Sequence, residues 1–351
     1  VDLKSKDINK ILVRSTNWVG DALLTTPALA SLKDNFPQAQ ITVLASKWVA
    51  PVFAEHPAAD EVLIFDRDGR HQGLWGLGRL ARKLRRRRFD LAVLFQNAIQ
   101  AALIARLAGI PLRLGYNTDG RGFLLNLPIR LRPEDKQVHE TEYYLRLLTR
   151  AGLKTAKTRP VFHLSPAVQA QAAARLAAQG LHETFLLGLA PGAAYGPAKQ
   201  WPARRFAAAA DLILAGQNGA ALLFGSPKEA PVTAEVGRNL EVRFLDLAGR
   251  TNLAEAAALI KRCGLFLTND SGLMHVAAAV GVPLVAVFGS TNPKTTAPAA
   301  ERFRLIRHPP PCAPCLRPTC NQDSHLCMDA VSPEEVAEAA LDLLREAAGH
   351  A

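Results

Sequence analysis

No apolar run in this 351-residue chain reaches the roughly 18 residues of a membrane-spanning helix, so a spanning protein is excluded on that count. The opening decapeptide, VDLKSKDINK, has none of the apolar stretch of a secretory leader, and the expectation is a cytoplasmic protein. No segment reads G-x-x-x-x-G-K-[ST], which removes the Walker mode of holding phosphate and Mg²⁺. The turn after the first apolar run also lacks the G-x-G-x-x-G spacing of a dinucleotide site. Helix-turn-helix, zinc-finger and aromatic-stacking signatures are missing, which argues against nucleic acid as a partner. Nothing recurs at a fixed period, so a solenoid is excluded.

What is present is a globular composition, 49% hydrophobic and 21% charged, on a chain longer than one core usually supports; two domains follow. The net charge of +11 is unevenly placed. Residues 1–160 hold 26 Lys and Arg against 15 Asp and Glu, whereas the remainder is balanced at 16 of each. The peak is RKLRRRRFD at 82–90. Excess positive charge on one half points to an anionic partner there, an acidic membrane surface or a phosphorylated substrate; a solvated helix end is the plain alternative for Arg85–Arg88.

Short apolar runs alternate with helical stretches. Strands are expected at ILVRS, QITVLAS, EVLIFD and LAVLFQ, with helices over 22–35, 74–87, 98–108 and 139–152. Such alternation implies parallel βαβ units. A basic, proline-bearing stretch at 153–166 reads as a linker, after which the pattern restarts with FLLGLAP, AALLFGS, EVRFLDL, GLFLTND and PLVAVFGS. The expected organisation is a basic first domain over 1–160, a second over 161–331, and a closing helix in 332–351 begun by Ser332 and Pro333. In open α/β sheets ligands lie beyond the carboxyl ends of strands, so the turns at Asp21, after Pro191 and at Asp270 are expected to face one cleft.

The chemistry concentrates in three places. In LTNDSGLMH, Ser271, Gly272 and Leu273 open a helix whose first N–H groups lack internal partners and favour a diphosphate; Ser271 also reads as a simple N-cap. Asp270 would repel phosphate and is expected to accept from sugar hydroxyls; His275 either touches the donor sugar or is a core histidine. In LAPGAAYGPAKQWP, a small-residue backbone with Tyr195 and Gly196 can follow a phosphate surface, and Lys199 supplies a compact positive charge. Asp21, in NWVGDALLTTPAL, is a carboxylate at a strand-to-helix turn with no phosphate cradle beside it; an N-cap for the 22–35 helix is its bland reading. The D-x-D string at 66–68 is taken as a surface turn. Cys312, Cys315, Cys320 and Cys327 are spaced C-x2-C-x4-C-x6-C, near His308 and His325. Free thiols are preferred there, with a structural zinc site and disulfides as open alternatives.

These motifs, with LAGRTNLAE and TNDSGLMHVAAA, resemble those of the ADP-heptose:lipopolysaccharide heptosyltransferases, nearest to the heptosyltransferase II group, over nearly the whole chain. The resemblance implies a GT-B fold: two Rossmann-like domains, acceptor on the first, ADP-heptose on the second, and a last helix crossing back to the first. It implies an inverting, metal-independent single displacement with no cofactor, in which Asp21 is the base. Lys199 and the 271–273 helix start would stabilise the departing ADP. By the same resemblance Glu229 holds the ribose and Thr251 borders the adenine. The acceptor would be lipid A-Kdo2-heptose at the cytoplasmic face of the inner membrane, with Asn97, Arg113 and Arg121 as contacts. NAIQAAL (97–103) departs from the family by placing Ala98 and Ala101 where serines are usual, leaving Asn97 as the polar group. The cysteine cluster occurs in only some relatives and is not expected to be needed for catalysis. A monomer is expected. First- or third-heptose transfer, a sugar-nucleotide epimerase and a non-catalytic sugar-nucleotide sensor are the rival readings.

Overall fold

Ile11, Leu12 and Val13 are buried on both faces of their strand, as the unbroken apolar run requires of a parallel sheet covered by helices. The computed structural model describes Leu3 and residues 6–348. Two units divide at the expected linker, Val1–His163 and Leu164–Ala351.

The first unit holds six parallel strands, β1 (Lys10–Arg14), β2 (Gln40–Ala45), β3 (Glu61–Ile64), β4 (Leu91–Leu94), β5 (Leu112–Tyr116) and β6 (Leu127–Ile129), in the order β3-β2-β1-β4-β5-β6. Helices Gly73–Arg85 and Ile99–Leu107 pack together, and Leu77, Leu80, Ala102 and Ile104 join Leu12, Leu44 and Leu94 in one core. The single helix expected over 22–35 is two, Val19–Leu24 and Thr26–Asn35. The hydroxyls of Thr25 and Thr26 donate back to the Ala22 and Leu23 carbonyls at 2.6 and 2.7 Å, and Pro27 has no N–H to continue the ladder.

His56 is a buried weak point of this unit. Its Nδ1 accepts from the Ala58 N–H at 3.1 Å, and the ring meets His163 edge-on at 5.3 Å. Burial, then the nearby His163, pulls its pKa down to about 4. A histidine depressed by folding contributes full stability above its unfolded pKa of about 6.5, and that contribution drains away as pH falls toward 4. Urea melts of wild type and His56→Phe should diverge by about 3 kcal/mol between pH 7 and pH 4, the wild type losing more; parallel curves would refute this.

The second unit repeats the same wiring. Its parallel strands are β7 (Phe185–Ala190), β8 (Gly219–Leu223), β9 (Phe244–Asp246), β10 (Leu265–Asn269), β11 (Leu284–Val287) and β12 (Phe303–Ile306), ordered β12-β11-β10-β7-β8-β9. Counted from each unit's own first strand, both sheets run 3-2-1-4-5-6, the doubly wound order. A helix not expected from the sequence, Pro166–Ala178, follows the linker, its Ser165 hydroxyl capping the Val168 N–H. The closing helix, Pro333–Ala348, packs within the second unit. Its Val336, Ala337, Ala340 and Leu343 bury in the second unit's core with Phe206 and Ile213, and it lies along helix Ala203–Leu214. Among the described residues no helix is long and apolar enough to cross a membrane.

Candidate active site

In a doubly wound sheet the chain reverses direction of growth between its first and fourth strands, which opens a crevice beyond their carboxyl ends. In the first unit that point lies between β1 and β4, in the second between β7 and β10. Asp21, Asn97, the Lys199 loop and the 270–275 stretch each lie beyond one of these four strand ends.

Beyond β1, Asp21 sits in the first turn of Val19–Leu24, where a negative charge suits the helix dipole; Trp18, not Asp21, occupies the N-cap position. The loop that delivers it is held by groups the sequence reading missed. Arg14, buried at the end of β1 with its guanidinium over the Phe65 ring at 5.0 Å, donates to Asn17 Oδ1 at 2.9 Å. Trp48 Nε1 donates to the Asn17 carbonyl at 2.8 Å. A second missed group is Glu140, which opens helix Glu140–Arg150 packed against the Asp21 helix. Burial and the charge of Asp21 push its carboxyl up to about 7. Two carboxyls thus share this end of the sheet, with Tyr143 and Tyr144 beside them held neutral by burial. A glutamate one residue after a histidine at a helix start carries no pattern that would have singled it out.

Beyond β4 and along β5, the expected acceptor contacts are tied into the first unit, and Arg121 is corrected by its burial. Arg121 is 0% exposed, and its guanidinium donates to the carbonyls of Tyr116 (3.0 Å) and Gln96 and to Asn97 Oδ1 (2.8 Å). Asn97 in turn donates to the Tyr143 hydroxyl at 2.6 Å. Arg113 donates to the Leu124 and Ile110 carbonyls at 2.7 and 2.6 Å. Arg121 serves as an internal strut, a buried cation whose donors meet carbonyls and an amide oxygen, whereas Asn97 and Arg113 are half-buried. Of the Arg85–Arg88 run, Arg87 pairs with Glu61, while Arg85, Arg86 and Arg88 are exposed.

In the second unit the phosphate-loop residues converge. Lys199 Nζ lies 2.7 Å from Asp270 Oδ2, which also accepts from the Thr291 hydroxyl at 2.7 Å. Asp270 is 4% exposed and anchors the lysine. Lys199 also stands over the Tyr195 ring, 5.0 Å from its centre. Asn269, fully buried and overlooked in the sequence, ties both ends of the loop to β10: its Oδ1 accepts from the Trp201 N–H (3.1 Å) and its Nδ2 donates to the Pro191 carbonyl (2.7 Å). Ser271 caps the helix Gly272–Ala279, accepting from the Met274 N–H at 3.3 Å, which leaves the N–H groups of Gly272 and Leu273 at the helix mouth. His275 is buried in this helix, which favours its core reading.

Glu229 reaches the same strand end. It closes a capping box with Ser226, accepting from that N–H at 2.7 Å, and its carboxylate lies so close to Gly192 that a Cβ there would be 2.3 Å from Oε1. The loop bearing Thr251 is joined to this turn through the Gly249 N–H, which donates to the Gly225 carbonyl at 2.9 Å.

The cysteine segment has an unforeseen position. The Pro318 carbonyl accepts from the Ala198 N–H at 3.0 Å, the Tyr195 hydroxyl donates to the Leu316 carbonyl at 2.7 Å, and His325 Nε2 meets the Ala198 carbonyl at 3.0 Å. Gly196, at φ 151°, leaves no room for a side chain: a Cβ would fall 2.2 Å from the Pro318 oxygen. The segment therefore braces the Lys199 loop through its backbone. Cys312, Cys315, Cys320 and Cys327 carry free thiols and border one small cavity with His325. Among the described residues no group of three or more His, Cys, Asp or Glu stands where it could hold a metal ion.

Residues 77–325 match Glycosyltransferase family 9 (heptosyltransferase). The lipooligosaccharide heptosyltransferase 2 of Haemophilus influenzae is 34% identical over 310 residues, covering 85% of this chain and 88% of that one. The lipopolysaccharide heptosyltransferase 2 of Salmonella typhimurium is 33% identical over 346 residues, covering 96% and 99%. The solved structure of Escherichia coli ADP-heptose LPS heptosyltransferase II aligns with a TM-score of 0.81 at 31% identity, over 96% of this chain and 99% of that one. Two doubly wound units with one strand order, a GT-B architecture, and these likenesses agree: the chain is a glycosyltransferase and belongs to the family 9 heptosyltransferases.

Proposed function

We propose that this chain transfers heptose from ADP-heptose to the first heptose of a lipopolysaccharide inner core, with inversion at the sugar carbon. The observation that carries the reading is the pairing of Lys199 with a buried Asp270 beside the uncapped N–H groups of Gly272 and Leu273. That is a rigid cationic seat for a departing diphosphate. In the step, an acceptor hydroxyl oxygen bonds to the anomeric carbon while the bond from that carbon to the phosphate oxygen breaks. The electron pair stays on the departing β-phosphate oxygen of ADP, whose negative charge Lys199 offsets, and the hydroxyl proton goes to Asp21. With one carboxylate base and no nucleophile partner, a single displacement is the reading favoured. Glu229, close against Gly192, and the Thr251 loop joined to its turn are read as the groups that hold ribose and base. The work belongs at the cytoplasmic face of the inner membrane, where the acceptor lipid is made. Mass spectrometry of product from ADP-heptose and Hep-Kdo2-lipid A tests the assignment. A gain of one heptose supports it; turnover of ADP-heptose without acceptor would indicate an epimerase, and no turnover at all a sensor.

Glu140 gives the reaction a pH signature. As pH falls through 7 its carboxyl gains a proton, and Asp21 loses the neighbouring negative charge that strengthens it as a base. The transfer rate should therefore drop several-fold across an inflection near pH 7, and Glu140→Gln should abolish the inflection, fixing the slower rate at all pH values. Since folding raises this carboxyl above its ordinary range, stability is lost as pH climbs from about 4.5 through 7, and Glu140→Gln should melt higher than wild type at pH 8. A variant that keeps the inflection would remove Glu140 from the scheme.

A further inference from the structure

Leu74 and Trp75, adjacent at the start of helix Gly73–Arg85, are 83% and 92% exposed. Single exposed apolar side chains are ordinary, but two large neighbours bared this fully, one of them tryptophan, are not. The inner face of the helix is spent: Leu77, Leu80, Ala81 and Leu84 are buried in the first unit's core. Its outer face runs Trp75, Arg79, Arg82, Arg86 at the spacing of one helical stripe, with exposed Lys83 beside it. No Asp or Glu occurs from Gly69 to Phe89, while eight Lys or Arg do. The charges crowd the latter half of the helix and their field reaches its start: His71 is held below the ordinary imidazole range by burial and by Lys83, Arg79 and Arg70, against the opposing charge of Asp66.

We infer that the outer face of helix Gly73–Arg85 docks on an anionic phospholipid bilayer, with Leu74 and Trp75 entering the headgroup boundary and Arg79, Arg82 and Lys83 meeting lipid phosphates. An aromatic–aliphatic pair at one end of a cationic stripe matches the two layers of a bilayer surface, an apolar interior beneath an anionic shell. The charge complementarity is one-sided because nothing acidic in the segment competes for the lipid. A rigid amphipathic element already folded into a sheet domain also loses little entropy on docking. The inference deepens the proposed function, and rests on it only in that the acceptor is borne by a lipid.

Flotation separates the alternatives. The full chain should float at low salt with phosphatidylcholine vesicles carrying about 30% phosphatidylglycerol, and not with pure phosphatidylcholine. At about a fivefold gain per cation, Arg79→Glu/Arg82→Glu/Lys83→Glu should lower partitioning by at least a hundredfold. Leu74→Ala/Trp75→Ala should lower it by about tenfold, and Arg79→Lys/Arg82→Lys should retain it. Circular dichroism and ADP binding report that each variant is folded. Transfer onto a deacylated, water-soluble acceptor should be unchanged in all of them. Equal flotation of wild type and the charge-reversed variant, equal binding to neutral vesicles, or no flotation of wild type would each overturn the docking surface. Loss of transfer by the wild type with flotation intact would instead strike the proposed activity and leave the surface standing.

Discussion

Asp21→Ala should slow heptose transfer by about a thousandfold while ADP binds as tightly as to the wild type. The separation follows from where the residue stands. Asp21 belongs to the first unit's β1 turn, whereas the proposed nucleotide seat lies beyond β7 and β10 of the second. A positioned base is worth roughly two to four powers of ten, and none of that appears in the affinity for a product that never meets it. Asp21→Asn should be nearly as slow, because the amide keeps the shape and loses the proton acceptor. It should also relieve Glu140, whose carboxyl rises partly through the charge of Asp21. Isothermal titration with ADP, beside rates of transfer, checks the pair of expectations. A fall in ADP affinity equal to the fall in rate would place Asp21 among the donor contacts instead.

Lys199→Ala is expected to fail on two counts at once. Removal of the ammonium takes away the charge that the leaving diphosphate needs, so ADP affinity and rate should both drop by at least a hundredfold. It also strands the Asp270 carboxylate, 4% exposed and left with the Thr291 hydroxyl as the recorded donor to Oδ2. Removing one partner of a buried pair typically costs about 3 kcal/mol or more, so the second unit should melt earlier. The double variant Lys199→Ala/Asp270→Asn distinguishes the effects: it should recover most of the lost stability and none of the lost ADP binding. Recovery of both would show that the lysine acts only through folding.

The legible parts of the fold were those written in apolar runs. ILVRS, LAVLFQ and GLFLTND announce buried parallel strands, and together with the restart after 166 they dictate two sheets. β5, β6 and β12 escaped because LRLGY, LPI and FRLI are short, interrupted by Arg, Pro or Gly, and two of them lie at sheet edges, where burial asks less of the sequence. Helix Pro166–Ala178 escaped because its alanines bury little; Ala172 and Leu176 are its only buried residues. At the site, Asp21, Lys199 and Ser271 were readable from their place after strands. Arg121 was misread, since a sequence displays the charge of a guanidinium and conceals the carbonyls that enclose it. Asn269, Arg14 and Glu140 were missed for the complementary reason: their importance lies in what a distant segment brings to them.

The repeated 3-2-1-4-5-6 wiring has an evolutionary corollary. Each sheet closes its own interior, so on the function proposed above the loops that choose a recipient and the loops that grip a nucleotide are inherited on separate frameworks. Drift in one can explore new sugars or lipids without taxing the folding of the other, which gives a lineage of such proteins room to diversify its targets around a constant donor.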